Sequence, residues 1–355
     1  MRALNVLLAV AVSVLIGLAV LEGGLRLLGF GPPRTLNRFD PVAGWSKRPD
    51  AVQHKKTSEF DIEIRTNALG LRDDPMSDPA KPANTFRVMA LGDSFTLGYT
   101  VDREHLFVDI LERWWQAENR RVDVINAGTE GWSTDQQVAW FLDQGLAFQP
   151  DLVLLLAYEN DLYWCRETQY PPNLDKPRFT PEGELEPREL ADHAGRAWTD
   201  DWALTRLFTR PEPDAERFSF TPEGGSKPIL KEWGAVVRPR PAFMDEAEAR
   251  ALGALRALTR GCEQIGARAV VVPIPSHSVV DPDYRARLGE RVLGLPADRW
   301  SPEQPVETFL RLADEAGLAA FDPRATLKQA ASERELYFDT DWHFNPDGNA
   351  AFARF

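Results

Sequence analysis

The sequence predicts a three-layer α/β sandwich: helices on both faces of a mostly parallel central sheet, with an N-terminal transmembrane helix before it and a long insertion within it. Three observations predict this. From Phe86 onward, short apolar runs alternate with amphipathic helical patterns, the order that builds parallel sheets. One run, "DLVLLLAY" (151–158), is apolar almost throughout, as in a strand covered on both faces. Polar groups able to do chemistry follow the ends of these runs, where open parallel sheets place their ligands. A composition of 43% hydrophobic and 27% charged residues reads as globular rather than disordered.

The N-terminus differs from everything after it. Ala3 to Leu21, "ALNVLLAVAVSVLIGLAVL", is apolar apart from Asn5 and Ser13, and as a helix it spans roughly 30 Å, the thickness of a bilayer core. It reads as an uncleaved anchor, with a cleaved signal peptide as the rival. Arg2 stands before the run and Arg26, Arg34 and Arg38 after it, so the distribution of positive charge does not fix the orientation. The organisation expected is an anchor or signal segment at 1–31, a linker and N-terminal extension at 32–85, and the main domain at 86–355. Within the extension, "GFGPPRT" (29–35) reads as a linker. "FDIEIRTN" alternates Phe60, Ile62 and Ile64 with charged residues, the pattern of a half-buried strand, and "NALGLRD" reads as a turn.

In the main domain "FRVMAL" is the first strand. "HLFVDILERWW" places Phe107, Ile110, Leu111 and Trp114 on one helical face. "VDVINAG" and "TDQQVAWFLDQGL" form the next strand and helix, and "DLVLLLAY" the third strand. Asp245 and Glu248 suggest a capping box for a helix whose apolar stripe is Leu252, Leu255, Leu258, Cys262 and Ile265, with "ARAVVVPIPS" as the strand after it. Between about 161 and 244 the regularity fails in a Pro-rich, charged stretch carrying scattered aromatics. A loop that long is usually functional or disordered; leaving just after the third strand, it is expected to lie over the same edge as Ser94 as a partly ordered lid.

The net charge of −13 gives no support to a nucleic-acid partner, which needs a basic patch. No cluster has metal-ligand spacing and no Gly-rich phosphate loop is present, so no cofactor and no metal are expected. Cys165 and Cys262 read either as a disulfide or as two buried thiols.

Each of the early strands ends in useful chemistry: Gly92-Asp93-Ser94 after the first, "NAGTEGWST" with Gly128 and Gly131 after the second, and "YENDLY" with Asn160 and Asp161 after the third. Near the C-terminus "YFDTDWHFNPDGN" supplies Asp339, Asp341 and His343, with a helix starting at Asn345-Pro346. A serine hydroxyl needs a neighbouring base, itself oriented by a third group, and acyl transfer needs donors where the oxyanion forms. Ser94 can attack, His343 can take its proton, and a nearby Asp can hold the imidazole. The N–H groups of Ser94 and Gly131, with the Asn160 amide, can form the oxyanion hole. Asp93 reads as a turn-bonding residue. His54, His105, His193 and His277 read as solvated or structural, with a place facing the pocket as the alternative for His277 alone.

The ordered blocks "GDSFTLG", "NAGTEGWST", "END" and "DWHFNPDGN" resemble the SGNH hydrolases, or GDSL esterase/lipase family. "TNALGLRD" ahead of "LGDSFTLGYTV" is similar to bacterial, membrane-anchored members. The resemblance covers roughly 57–160 and 245–355 and leaves the insertion unmatched. It implies an SGNH, flavodoxin-like fold, a periplasmic or otherwise extracytoplasmic body, and catalytic roles for Ser94, Gly131, Asn160 and His343. Phe95 stands where the family name has Leu, and Tyr158 replaces the usual glycine, which narrows the pocket wall. Thr340 occupies the usual place of the acid three residues before the histidine. The "DxHxNPxG" spacing is similar to a variant in some relatives, including polysaccharide O-acetyltransferases, and makes Asp341 the orienting carboxylate, with Asp339 as the alternative. In an extended segment Asp341 and His343 point to the same side.

Three functions fit these residues. The first is a Ser-His-Asp acyl hydrolase acting on an ester, such as an O-acyl group on a carbohydrate or envelope polymer. The second is an O-acyltransferase that passes the same acyl-enzyme to a sugar hydroxyl. The third is a non-catalytic carbohydrate-binding envelope protein, disfavoured because the full catalytic set is present. The expected partners are a small ester or acylated glycan and the membrane.

Overall fold

Five short apolar segments line up in parallel as β1 (Phe86–Gly92), β2 (Val122–Asn126), β3 (Leu152–Ala157), β4 (Arg268–Pro273) and β5 (Ala319–Ala320), in the order β5-β4-β3-β1-β2. The structure, a computed structural model, describes residues 2–27, 36–118, 120–171, 174–192 and 216–355. The linker at 29–35, Arg34, His193 and the Pro-rich stretch 193–215 lie outside the described residues. The strand order reverses between β1 and β3, which pair with Val88 opposite Leu152 and Leu91 opposite Leu155. Such a reversal opens a crevice beyond the strands' carboxyl ends. Ser94 follows β1 and Asn160 follows β3, so both stand at that crevice.

The strands are buried on both faces because successive side chains alternate. Met89, Leu91, Ile125, Val153, Leu155 and Val271 face one layer; Val88, Ala90, Val124, Leu156 and Val272 face the other. The helices of eight or more residues are α1 (Arg2–Leu27), α2 (Phe107–Ala117), α3 (Thr134–Asp143), α4 (Phe243–Ile265), α5 (Gln304–Glu315), α6 (Arg324–Ala331) and α7 (Pro346–Ala353). Residues of α3, α4 and α5 cover the first layer, and those of α2, α6 and α7 the second. On α4, Leu255 and Leu258 are wholly buried, each contributing roughly 1.5–3 kcal/mol from apolar burial.

Several local expectations are corrected. The capping box at Asp245 and Glu248 does not form: α4 starts earlier, at Phe243, so both residues lie inside it and pair with Arg240. On α2, Trp114 is exposed, and Trp115 packs inward in its place. β5 is a two-residue strand that the sequence reading passed over. Cys165 and Cys262 are free buried thiols. The capping box instead closes α3, between Ser133 and Gln136. Asn345 caps α7, accepting from the Gly348 N–H at 2.9 Å.

The described parts of the insertion belong to the core. Tyr163, Trp164, Phe179 and Phe218 join the first-layer cluster. The fully buried Lys176 ammonium pairs with Asp135 of α3 and donates to the Trp164 carbonyl at 2.7 Å. The N-terminal extension also packs on the body. It holds the hairpins Asn37–Asp40/Gly44–Lys47 and Val52–Lys56/Asp61–Arg65, and Phe60, Ile62 and Ile64 point inward as expected. The Arg72 guanidinium, wholly buried, donates to the carbonyls of Leu97 and Val101 at 2.8 Å each and to that of Gly98. Asn5–Leu27 within α1 has a mean hydropathy of 2.5 and is long and apolar enough to cross a membrane, as a signal sequence also is.

Candidate active site

At the end of β1 the chain turns sharply into the short helix Ser94–Leu97. Gly92 permits the turn, since a Cβ there would overlap the Thr96 side chain. Asp93 Oδ1 accepts from the Phe95 N–H at 2.9 Å and caps the helix, the turn-bonding role expected of it. Ser94 is thereby presented, half-buried, at the mouth of the crevice.

His343 arrives from the other end of the chain. Its Nε2 lies 2.7 Å from Ser94 Oγ, and its Nδ1 lies 2.5 Å from Asp341 Oδ1. With the ring proton on Nδ1 and donated to Asp341, Nε2 is free to accept the Ser94 hydroxyl proton. Phe95, the departure from leucine, packs its ring 4.5 Å from the imidazole, and Tyr99 lies 5.5 Å away. The structure brings Asp341 and not Asp339 to the ring; Asp339 is exposed and faces Arg287 at 3.3 Å. The reason is a turn and not extended-strand parity. Trp342 adopts φ 72°, in the left-handed region, and the Phe338 N–H closes the loop onto the His343 carbonyl at 2.9 Å.

Ser94, Gly131, Asn160, Asp341 and His343 line one cleft of about 230 Å3. Gly131 holds φ 74°, and a Cβ there would only touch the Tyr170 ring at 3.5 Å, so the backbone angle rather than space calls for glycine. Asn160 begins the short helix Asp161–Trp164 but does not cap it with its side chain, and Asn160 Oδ1 is buried without a partner. The unpartnered atom is the acceptor of the amide, and the residue lines the cleft. His277 does not line the cleft. It is stacked between Tyr284 and Tyr337, at 3.9 and 4.9 Å, and bonds Asp281 at 3.2 Å.

The rest of the wall escaped the sequence reading, apart from Tyr158. Tyr158 packs on Phe95 at 4.7 Å, and Tyr170, Glu232 and Trp233 come from the insertion. Trp342, held between Asp341 and His343 in sequence, stands exposed at the mouth with Trp233 6.4 Å away. Burial pushes the Glu159 carboxyl up to about 7, and raises that of Glu232, which accepts from Trp164 Nε1 at 2.9 Å. Beneath the floor, burial raises Asp93 to about 6, opposed by His343, and raises Asp161, which accepts from Thr134 and Gln137 at 3.1 Å each. No Lys or Arg lines the cleft among the described residues. The only signals in the sequence were tryptophans in an otherwise irregular stretch, with no spacing to place them.

An imidazole set between a serine hydroxyl and a carboxylate, beside backbone N–H groups and a side-chain amide, can deliver an alkoxide to a carbonyl and hold the oxyanion that results. No curated protein matches the chain in sequence. Solved structures similar to it include TesA (12% identity, covering 76% of this chain and 94% of that one, TM-score 0.41). Others are the acetyl xylan esterase AlAXEase (12%, 76% and 96%, TM-score 0.41) and a catalytic mutant of Axe2, an acetylxylan esterase from Geobacillus stearothermophilus (13%, 77% and 93%, TM-score 0.42). The sequence pattern of the GDSL-like lipase/acylhydrolase family matches residues 90–351, from the end of β1 into the last helix, and the chain belongs to that family of serine esterases.

Proposed function

We propose that this esterase is a membrane-anchored, extracytoplasmic acyl hydrolase that removes O-acyl groups from a carbohydrate, with Ser94, His343 and Asp341 as its triad. The observation that carries the reading is the unbroken chain from Ser94 Oγ to His343 Nε2 at 2.7 Å and from His343 Nδ1 to Asp341 Oδ1 at 2.5 Å. His343 Nε2 takes the hydroxyl proton as Oγ bonds to the ester carbonyl carbon. The negative charge moves to the carbonyl oxygen, held by the Ser94 and Gly131 N–H groups and the Asn160 amide. As the tetrahedral intermediate collapses, the bond to the alcohol oxygen breaks and His343 returns the proton to the leaving alcohol. Water, deprotonated by the same ring, then attacks the acyl carbon, the bond to Ser94 Oγ breaks, and the ring returns its proton to Oγ as the acid leaves.

The wall of the cleft supports a carbohydrate as the alcohol. Indole faces such as those of Trp233 and Trp342 stack on sugar C–H faces, and the Glu159 and Glu232 carboxyls can bond sugar hydroxyls. The span Asn5–Leu27 supports the anchor. The test is labelling of the full-length chain with a membrane-impermeant fluorophosphonate. The reading expects a labelled protein in the membrane fraction of intact cells and none with Ser94→Ala. Equal labelling of Ser94→Ala removes the nucleophile assignment, and labelling only after lysis removes the topology.

A further inference from the structure

The turn that carries Asp341 is held from outside by a residue of the N-terminal extension. Glu59 Oε1 accepts from the Thr340 N–H at 3.0 Å, and Glu59 Oε2 accepts from the Asp341 N–H at 3.1 Å. One carboxylate thus grips two successive peptide groups, one oxygen to each, in charge-assisted bonds. The turn needs such a hold. Trp342 sits at φ 72°, a conformation unfavourable for a bulky L-residue and kept only where the surroundings impose it. It also places Asp341 Oδ1 against the ring.

Glu59 is itself fixed. It lies at the tip of the hairpin Val52–Lys56/Asp61–Arg65, where Thr57 Oγ1 accepts from the N–H groups of Glu59 and Phe60 at 3.1 and 3.2 Å. Phe60, next in sequence, packs on Phe338 at 5.5 Å, at the base of the same turn. On the other side Lys55 donates to the Tyr99 carbonyl at 3.1 Å, below the ring that flanks His343. The tip is therefore docked against the turn and against the nucleophile's loop together.

We propose that Glu59 is a positioning residue for catalysis: it holds the Thr340-Asp341 backbone so that the Asp341 carboxylate stays on His343 Nδ1. This rests on the triad reading above. A carboxylate displaced by a fraction of an ångström orients the ring less well and stabilises less the imidazolium that forms as Ser94 gives up its proton.

The test is a double-mutant cycle on the full-length protein in detergent, using an activated short acyl ester, with thermal melts to verify folding. Glu59→Ala and the milder Glu59→Gln should lower kcat roughly ten- to a hundredfold with KM nearly unchanged. In an Asp341→Asn background the same Glu59 changes should cost almost nothing further, since the residue acts through that carboxylate. A folded Glu59→Gln with wild-type kcat overturns the proposal. So does a Glu59 effect that persists in full without Asp341. If Asp341→Asn itself is silent, the triad reading fails, which is a separate result.

Discussion

Replacing Asp341 by Asn removes one negative charge and little volume, and the structure sets the size of the expected loss. In the proposed triad, His343 becomes a cation as Ser94 gives up its proton, and its counter-charge is Asp341, with Oδ1 at 2.5 Å from Nδ1. Both side chains are about one-fifth exposed, so the pair is neither dry nor freely solvated. With charge centres roughly 4 Å apart and an effective dielectric of about 20, the attraction is about 4 kcal/mol. At 1.36 kcal/mol per decade of rate, that corresponds to about a thousandfold in kcat. An amide can also fix the wrong ring tautomer, with the proton facing Ser94, which carries the loss toward about ten-thousandfold. Asp339→Asn, by contrast, touches an exposed side chain paired with Arg287 at 3.3 Å, and should change kcat by less than about twofold. Steady-state hydrolysis of a short acyl ester by both variants, with folding verified by circular dichroism, measures the difference. A severe loss in Asp339→Asn with Asp341→Asn nearly intact would refute the reasoning.

Two further outcomes follow from the same geometry. Asn160→Ala should lower kcat roughly a hundredfold or more, the usual cost of one oxyanion donor, and change KM less; an effect confined to KM would make Asn160 a binding residue only. Burial holds the His277 imidazole below its ordinary 6.5, so the folded chain keeps it neutral while the unfolded chain takes up a proton. Its stabilisation is present above about pH 6.5 and is lost as pH falls from there through the folded value. His277→Phe, which keeps a ring between Tyr284 and Tyr337, should therefore flatten the fall in unfolding free energy on acidification below pH 6.5. Urea melts across that range give the slope, and an identical slope in the variant would show that another group carries it.

The sheet and the turn that carries Ser94 were legible because their signals are local. An apolar run followed by Gly-Asp-Ser needs only its own few residues to make a strand, a tight turn and a capped helix, and the structure shows each of these at Phe86–Leu97. β5 was not legible, since two residues, Ala319 and Ala320, carry no periodicity. Trp114 and Trp115 are adjacent, and helical periodicity alone chose the wrong one to bury; packing against the second-layer cluster decided it. At Asp341 the sequence pointed to the carboxylate that meets the ring through an argument about extended strands, whereas the approach depends on the left-handed Trp342. A positive φ at a tryptophan has no local sequence signature, because it is imposed by contacts elsewhere.

Those contacts are long-range, and they cross the boundary that the sequence suggested at residue 85. Glu59 reaches the Asp341 turn across 282 positions, and Trp45 Nε1 donates to the carbonyl of Glu130, beside Gly131, across 85. Arg72 satisfies carbonyls of the loop that follows Ser94. The block "TNALGLRD" stood out as a turn and as part of a resemblance, yet its arginine is buried. Burial pulls its pKa down to about 10, which leaves it charged at neutral pH and bound to have acceptors. Three separate stretches of the extension thus support the three loops that carry Gly131, Ser94 and Asp341. In the proposed triad, a serine, a histidine and an aspartate brought from positions 94, 343 and 341 must be held within a fraction of an ångström for proton transfer. Turns at the ends of parallel strands do not supply that rigidity alone, because their N–H and C=O groups lie beyond the ladder of the sheet. Here the missing partners come from Glu59, Arg72 and Trp45, and this gives the extension a physical role in the site as well as in the link to the membrane-length helix.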